Sequence, residues 1–419
     1  MGRTSRDKPG RFHPPPVERI ELNEEHLSRR FIAAGVLLLF GAALLAYAVM
    51  KFLTPAAGWQ AIQANGTGEA SCAEEITFLY EAASPAEVKA VTARYTDACQ
   101  RAYRLFHCRQ EFADVVNVCT LNRRPNEVLT VDEALYMALS IAVDGGRREL
   151  YLGPIYARYG DLFFCQDDAQ LVNYDPRLSA DVAREYQEVL SYANDPRSVE
   201  VELLGGNRVC LRVSEAYLAY AKQEGIDRFL DFAWMQNAFV VDLLAGELTA
   251  GGFTKGVLSS YDGFTRNLDG REGTYDYPLY HRQDGVVSFA GNMRYRGPVS
   301  LVCLRDFPTS ERDFGRFYTL RSGEVRTPYL DTADALCRNG VSSLVCYDRE
   351  KSCGQLLMEM IPRYISDGFG REDAAALAGK GIESVFCQGT VVFYTEKQIT
   401  LVDLSREEDT GYTAERIGF

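Results

Sequence analysis

The sequence predicts an α+β domain that follows a single N-terminal transmembrane helix. The transmembrane helix is indicated by an uncharged run from Phe31 to Met50, which at about 1.5 Å per residue can cross a hydrocarbon layer of about 30 Å. The α+β class is indicated by helical and strand patterns that alternate after residue 70 without internal repeats. We therefore divide the chain into an arm (1–30), an anchor (31–50), a linker (51–70) and a folded domain (71–419).

Basic residues set the orientation of the anchor. Arg29 and Arg30 precede the apolar run, and only Lys51 follows it closely. The positive-inside rule therefore predicts a cytoplasmic N-terminus and an extracytoplasmic domain, held at the cell membrane by one span. A cleaved signal peptide has an apolar core of about 7 to 15 residues, so we expect this longer run to be retained. A buried helix of a soluble protein is the alternative interpretation.

Composition narrows the classes of partner. The chain carries a net charge of -13 and has a pI near 5.0. This charge repels a phosphate backbone, so we expect no nucleic-acid partner. All eleven cysteines lie after the anchor, from Cys72 to Cys387, where an oxidising compartment would allow disulfides. Their odd number and the lack of C-x-x-C spacing leave buried thiols and disulfides equally open.

The first elements of the domain are predicted from periodicity and capping. Ile76–Tyr80 has the composition of a strand, and Pro85–Leu105 carries apolar residues at helical spacing. Thr130 and Glu133 have the spacing of a capping box, which predicts the start of a further helix.

A hairpin and a group of strands follow. Ser198–Leu204 and Arg208–Val213 alternate on either side of a Gly-Gly-Asn turn, which is typical of a β-hairpin. Ser214 is then expected to cap a helix that ends near Gln223. Later runs rich in Val, Leu and Tyr are predicted strands: Val286–Phe289, Val299–Leu304, Ser343–Tyr347 and Ser384–Tyr394.

Motifs considered singly argue against several kinds of site. The domain contains only two histidines, His107 and His281, which disfavours a Ser/His/Asp triad and a His-rich metal site. We interpret both histidines as structural. The stretch Gly251–Gly256 (GGFTKG) lacks the G-x-x-x-x-G-K-[ST] order of a phosphate-binding loop, and we interpret it as the turn that ends a helix.

The order of several motifs is more informative. Asp231–Asp242 reads DFAWMQNAFVVD, and an apolar helix and the segment Val257–Phe264 (VLSSYDGF) follow it. The turns Asp144–Gly146 and Gly153–Tyr156 lie upstream, and Arg326–Asp334 (RTPYLDTAD) lies downstream. This arrangement resembles the FAD:protein FMN transferases, the ApbE family. The central block of that family reads D-x-x-G-x-x-K-G-x-x-x-D, followed by a helix and a strand that ends in G-G-D or G-G-N.

The resemblance covers most of the chain after residue 70 and implies a T-fold-related α+β domain with FAD as its ligand. The chain retains the family's aspartates at Asp242 and Asp331. The alignment of the motifs places Asn237 at the lysine position and Asp262 within the G-G-D motif. These four residues are therefore our predicted cofactor-binding residues, and no catalytic residue is assigned. As alternatives, Asp242 is the polar end of a helix face and Asp331 organises a turn.

The chain departs from the resembled family at the positions that carry its chemistry. The family's histidine falls on Pro328, and the Asp and Thr that bind magnesium fall on Gly354 and Met358. Glycine and a thioether are not ligands for a hard cation, so we expect no metal ion here. The substitutions favour a degenerate member of the family with little or no transferase activity.

Three functions stay open at this point. The first is a catalytically inactive module that binds a flavin or a partner, such as an extracytoplasmic flavoprotein or a membrane complex. The second is an active FAD:protein FMN transferase that modifies extracytoplasmic proteins. The third is an unrelated envelope-interaction domain whose similarity is one of pattern alone.

The resemblance also predicts where a ligand pocket would lie. Trp234–Asp242, Tyr261–Phe264 and Pro328–Asp331 correspond to blocks that converge on the flavin in the resembled family, so we expect them to meet. If the pocket has been abandoned, we expect the rings of Trp234 and Tyr261 to fill it and to leave a small cavity, because protein interiors leave few large voids.

The orientation of the anchor is testable. Protease added outside intact cells is expected to degrade the chain after Lys51 and to leave an N-terminal tag intact, because Arg29 and Arg30 keep the arm in the cytoplasm. The measurement is immunoblotting of an N-terminal and a C-terminal tag before and after digestion. Digestion of the N-terminal tag with survival of the C-terminal one would reverse the orientation.

Overall fold

The computed structural model describes residues 41, 58–66, 71–396, 399–406 and 411–418. The predicted arm (1–30) and, residue 41 apart, the predicted anchor (31–50) lie outside the described residues. Within the described ranges, no helix is long and apolar enough to span a bilayer.

The strands are numbered in chain order. As β1 to β17 they are Gly58–Ile62, Ile76–Ala82, Val128–Thr130, Val199–Leu203, Arg208–Val213, Gly256–Ser260, Phe264–Asn267, Thr274–Gln283, Val286–Arg296, Val299–Arg305, Tyr318–Thr319, Val325–Arg326, Ser343–Asp348, Glu383–Gln388, Val391–Tyr394, Thr400–Val402 and Thr413–Arg416.

The α-helices are numbered in the same way. As α1 to α9 they are Pro85–Phe106, Val118–Arg123, Glu133–Asp144, Gly153–Tyr159, Ala180–Ala193, Glu215–Glu224, Gln236–Ala250, Cys353–Tyr364 and Arg371–Ala378. Short 3-10 turns lie at Arg148–Tyr151, Gly160–Phe164, Asp168–Asn173, Ala233–Met235 and Glu311–Asp313.

The largest sheet is covered on both faces at its centre. Its strand order is β1-β2-β6-β7-β10-β13-β14-β15-β17, and neighbours are antiparallel except for β15 and β17. Every residue of β10 and β13 is buried. Val302 and Leu344 belong to the core shared with the helices, whereas Leu301 and Val345 belong to a second core with the β8–β9 hairpin. The continuous apolar runs predicted as strands therefore reflect burial of both faces.

Helix α7 is the central helix of the domain. It packs against α1, α8, β6 and β7, and it is buried on nearly every side, with Val240, Val241 and Leu244 fully enclosed. A helix that is apolar all round is expected to be a core helix. Its N-terminus lies next to the turn between β6 and β7, which brings two of the predicted binding segments together.

The N-terminal cap of α3 differs from the prediction. The cap is Asp132, whose side chain accepts a hydrogen bond from the Ala134 amide at 2.8 Å, and Thr130 instead ends β3. Asp132 also pairs with Arg101 of α1 at 2.6 Å. A carboxylate can cap a helix and form an ion pair with a neighbouring helix, whereas a threonine hydroxyl can do only the first.

Two further segments differ from the sequence analysis. Gly58–Ile62, which was assigned to the linker, forms β1 and pairs with β2, so backbone hydrogen bonds order a stretch whose composition alone suggested no structure. Ser384–Tyr394, predicted as one strand, is two strands joined by a turn at Gly389, whose φ is +55°. The predicted hairpin is β4 and β5, and Ser214 caps α6 as expected.

All eleven cysteines are free thiols. Most are buried apolar residues of the two cores, and burial raises the pKa of Cys346 and Cys353 well above the ordinary value. The structure therefore agrees with the interpretation of the cysteines as buried thiols rather than as disulfides.

Candidate functional site

A cavity of about 470 Å³ lies where the three predicted segments meet. Trp234 and Asn237 line it from the start of α7, Asp262 from the β6–β7 turn, and Tyr329 from the segment after β12. The predicted convergence of the segments is thus confirmed. The remaining lining residues come mainly from α4, the turn after it and the loop after β10, and they are Glu75, Arg109, Tyr156, Tyr159, Gly160, Phe163, Ala233, Gln236, Phe264, Leu304, Arg305, Asp313, Gly315, Arg316, Phe317 and Pro328.

Four side chains form a polar cluster on one side of the cavity: Glu75, Asn237, Asp262 and Arg316. The Asn237 amide nitrogen donates to Glu75 Oε2 at 2.7 Å and to Asp262 Oδ2 at 2.9 Å. Arg316 pairs with Asp262 at 2.9 Å and with Glu75 at 3.5 Å. Two carboxylates and one guanidinium give this polar cluster a net negative charge.

Asp262 is held in place by the glycine that follows it. Gly263 has a φ of +107°, and a Cβ atom at this position would lie 2.2 Å from the carbonyl oxygen of Cys303 in β10. Only glycine allows this left-handed backbone and close approach. The last glycine of the YDGF segment therefore fixes where the turn presents Asp262 to the cavity.

A buried ion pair anchors the loop that closes the cavity on one side. Arg305 at the end of β10 pairs with Asp313 at 2.7 Å and also donates to the carbonyl oxygen of Tyr261 at 2.9 Å. Asp313 further accepts from the backbone amide of Thr309 at 2.7 Å. Because both charges are buried, movement of the loop away from β10 would leave a buried charge without its partner. This pair brings Arg316 to the cavity.

Aromatic side chains make the apolar wall. The ring of Trp234 meets the ring of Tyr329 edge to face at 4.9 Å, and its indole nitrogen donates to the Tyr156 hydroxyl at 3.3 Å. Burial raises the pKa of both Tyr156 and Tyr329 above the ordinary value, so both phenols stay neutral at physiological pH. The wall offers a rigid, uncharged surface to a planar ligand.

The rings of Trp234 and Tyr261 do not fill the pocket in the way that we expected of an abandoned site. Trp234 lines the cavity, but Tyr261 does not. The Tyr261 hydroxyl instead accepts from Thr77 at 3.1 Å, and the guanidinium of Arg312 lies 4.2 Å from its ring centroid. A hydrogen bond and a cation–π contact thus hold the ring away from the cavity, which leaves it open.

The rim carries an unpaired cation and an exposed aromatic pair. Arg109 is exposed and, among the described residues, has no acidic partner. Phe164 and Phe314 are 60% and 77% exposed, and their rings meet at 5.5 Å. They flank Gly315, where a Cβ atom would lie 2.8 Å from the Phe164 ring.

Asp242 lies outside the cavity lining and acts between elements. Its carboxylate accepts from the amides of Cys353 and Gly354, the first two residues of α8, at 2.9 and 2.8 Å. It also pairs with Arg266 of β7 at 2.9 Å. The carboxylate therefore caps α8 from a neighbouring helix, where the positive end of the helix dipole favours an anion.

Asp331 also lies outside the lining, in a turn. Its side chain accepts from the amide of Ala333 at 2.8 Å and pairs with Arg338 at 2.9 Å. Of the four predicted cofactor-binding residues, the structure thus brings Asn237 and Asp262 together at the cavity and gives Asp242 and Asp331 structural contacts.

Gly354 and Met358, where the resemblance places the magnesium ligands, are packed against other side chains. A Cβ atom on Gly354 would lie 2.7 Å from the ring of Phe239, so a larger residue there would require that ring to move. Met358 is buried and packs against Gly145. Among the described residues, no group of three or more His, Cys, Asp or Glu is arranged to hold a metal.

The two histidines of the domain lie away from the cavity. His107 accepts at Nδ1 from the amide of Gln110 at 2.9 Å, and His281 Nδ1 lies 3.3 Å from the hydroxyl of Tyr412. Sequence reasoning missed Glu75, Arg305 and Arg316. Glu75 comes from a turn before β2, Arg305 from the end of β10 and Arg316 from the loop after it, and no local pattern marks them.

The fold is shared with solved ApbE structures. The ApbE protein of Thermotoga maritima matches with a TM-score of 0.52 over 83% of this chain and 99% of its own, at 14% identity. The flavin transferase ApbE from Vibrio cholerae matches with a TM-score of 0.52 over 78% of this chain and 93% of its own, at 11% identity. No protein-family model and no curated protein matches the sequence. The resemblance drawn from motif order is confirmed at the level of an ApbE-like α+β fold.

The contacts of Asp242 predict a large effect on stability. Replacing Asp242 with Ala leaves Arg266 and two helix amides without their partner, and we expect the free energy of unfolding to fall by about 3 to 5 kcal/mol. Asp331→Ala is the control, because Arg338 keeps its pair with Asp334, and we expect a loss of about 1 kcal/mol or less. Urea unfolding followed by circular dichroism measures both. Equal losses for the two variants would show that Asp242 does not hold α8.

Proposed function

We propose that the chain is a membrane-anchored flavin-binding protein without FMN transferase activity. The observation that carries the proposal is the cavity itself, in which an uncharged aromatic wall faces a polar cluster. Its volume of about 470 Å³ lies within the range of about 300 to 1,000 Å³ that is typical of small-molecule sites.

The residues present fit a flavin nucleotide. The isoalloxazine ring of a flavin is planar and aromatic, and Trp234, Tyr329 and Phe317 offer the ring surfaces that such a group prefers. The exposed guanidinium of Arg109 at the rim supports the phosphate end, because arginine binds phosphate oxygens in bidentate geometry. The ApbE-like fold adds support, since one neighbour is named a flavin transferase.

The absence of transfer is supported by the residues that would perform it. The positions of the family's lysine and histidine hold Asn237 and Pro328. Phe239 packs against Gly354, so the cation that would neutralise a pyrophosphate has no ligands there. We therefore derive no step through a metal ion and assign this chain a binding role.

The N-terminal sequence supports the proposed location. The uncharged run Phe31 to Met50 supports one membrane span with a cytoplasmic N-terminus. The domain would then hold its flavin outside the cytoplasm, beside an extracytoplasmic flavoprotein or a membrane complex that uses it.

Flavin binding is tested with the full-length chain in detergent. FAD and FMN are expected to bind, and Trp234→Ala is expected to weaken binding by about tenfold to a hundredfold, because it removes a buried aromatic contact. Trp59→Ala is the matched control, since the other tryptophan of the chain lies in β1 against Tyr275, away from the cavity. Isothermal titration calorimetry measures all three proteins. Unchanged affinity in Trp234→Ala, or no binding to the unmodified chain, would contradict the proposal.

Transfer is tested separately. The full-length chain incubated with FAD, Mg²⁺ and a peptide with an acceptor Ser or Thr is expected to leave the peptide unmodified. The solved flavin transferase ApbE from Vibrio cholerae serves as the positive control under the same conditions. Mass spectrometry detects the FMN adduct. A stoichiometric adduct formed by this chain would replace the binding role with an active transferase.

A further inference from the structure

Two oxygen atoms of the polar cluster lack a hydrogen-bond partner among the described residues. They are Oδ1 of Asn237 and Oδ1 of Asp262. The other side-chain atoms of both residues are engaged: Asn237 donates through its amide nitrogen, and Asp262 accepts through Oδ2. Asn237 is only 3% exposed. A buried acceptor without a donor is costly, so this pair of atoms marks where a ligand would donate.

The charges around these atoms decide which part of a ligand belongs there. Glu75 and Asp262 outnumber Arg316, so an anionic phosphate is disfavoured at the polar cluster. A metal ion is disfavoured too, because Oδ2 of Asp262 and Oε2 of Glu75 already accept from N–H groups that would face the ion. A neutral N–H donor is not repelled by the carboxylates, and it can donate to the two free oxygens without displacing the existing N–H contacts.

Arg316 provides hydrogen-bond donors next to the free oxygens of Asn237 and Asp262. Arg316 makes two contacts with the carboxylates of the cluster, and a guanidinium has five N–H groups, so others can reach a carbonyl oxygen of a ligand. We infer that the polar cluster recognises a cyclic imide, an N–H group between two carbonyl groups, through Asn237, Asp262 and Arg316.

This inference rests on the proposed flavin site and refines it. The dioxopyrimidine end of the isoalloxazine ring carries such an imide at its N3 position, and so does uracil. The ring edge would meet the polar cluster, the ring face would lie against the aromatic wall, and the phosphate would be left to Arg109 at the rim.

The test compares ligands that differ at the imide. The full-length chain is titrated calorimetrically with FMN, N3-methyl-FMN, 5-deaza-FMN and UMP, with EDTA present so that no metal ion bridges the contact. Methylation of N3 removes the donor and is expected to weaken binding by about tenfold to a hundredfold, the effect of losing a hydrogen bond to a charged group. The 5-deaza analogue keeps the imide and is expected to bind as FMN does.

Variants assign the effect to the cluster. In Asp262→Asn the ratio of the N3-methyl-FMN and FMN dissociation constants is expected to fall towards one. The amide oxygen of the new side chain stays with Asn237 and Arg316, so its NH2 group replaces the free acceptor Oδ1. Asp276→Asn makes the same change in an exposed ion pair of the β8–β9 hairpin and is expected to keep the ratio of the unmodified chain. The ligand comparison needs no variant, so misfolding of Asp262→Asn does not prevent the test.

The outcomes separate the two proposals. Equal binding of FMN and N3-methyl-FMN to the unmodified chain would overturn the imide contact and leave the flavin site standing. Binding of UMP without binding of FMN would support the imide contact and overturn the flavin assignment. Failure of all four ligands to bind would overturn both.

Discussion

The carboxylate of Asp242 is the interaction on which the arrangement of this domain depends. It joins the central helix α7, the sheet strand β7 and the start of α8 through three hydrogen bonds at 2.8 to 2.9 Å. The amides of Cys353 and Gly354 would otherwise be buried donors without an acceptor. Because the aspartate is committed to helix capping, it is not free to bind a ligand, and the cavity is formed around a different pair of residues.

Much of the cavity wall comes from the loop after β10 and the β6–β7 turn, which lie outside the central core. The Arg305–Asp313 pair attaches the loop after β10, and this loop brings Arg316 and Phe317 to the site. Gly263 fixes Asp262, which pairs with Arg316. The division is typical of binding sites, in which loops carry the recognition groups and a rigid core positions them.

Sequence patterns predicted the elements whose cause is local. The buried runs of β10 and β13, the hairpin and the Ser214 cap each follow from periodicity or turn chemistry within a few residues. The order of motifs also predicted which segments meet. The direction of the Tyr261 ring could not be predicted, because Thr77 and Arg312 lie far from it in the chain. The same holds for Glu75 and Arg316, whose roles come from tertiary contacts alone, and for Asp132, whose use as a cap depends on a partner in another helix.

The packing of Phe239 on Gly354 makes the residues that these two positions can hold depend on each other. A carboxylate at residue 354 would clash with that ring at 2.7 Å, so a single substitution there destabilises the core before it creates any ligand for a metal. A smaller residue at position 239 would have to arise first, and it would leave a cavity beside a buried helix. Each substitution alone lowers stability, so the effects of substitutions at positions 239 and 354 are not expected to be additive.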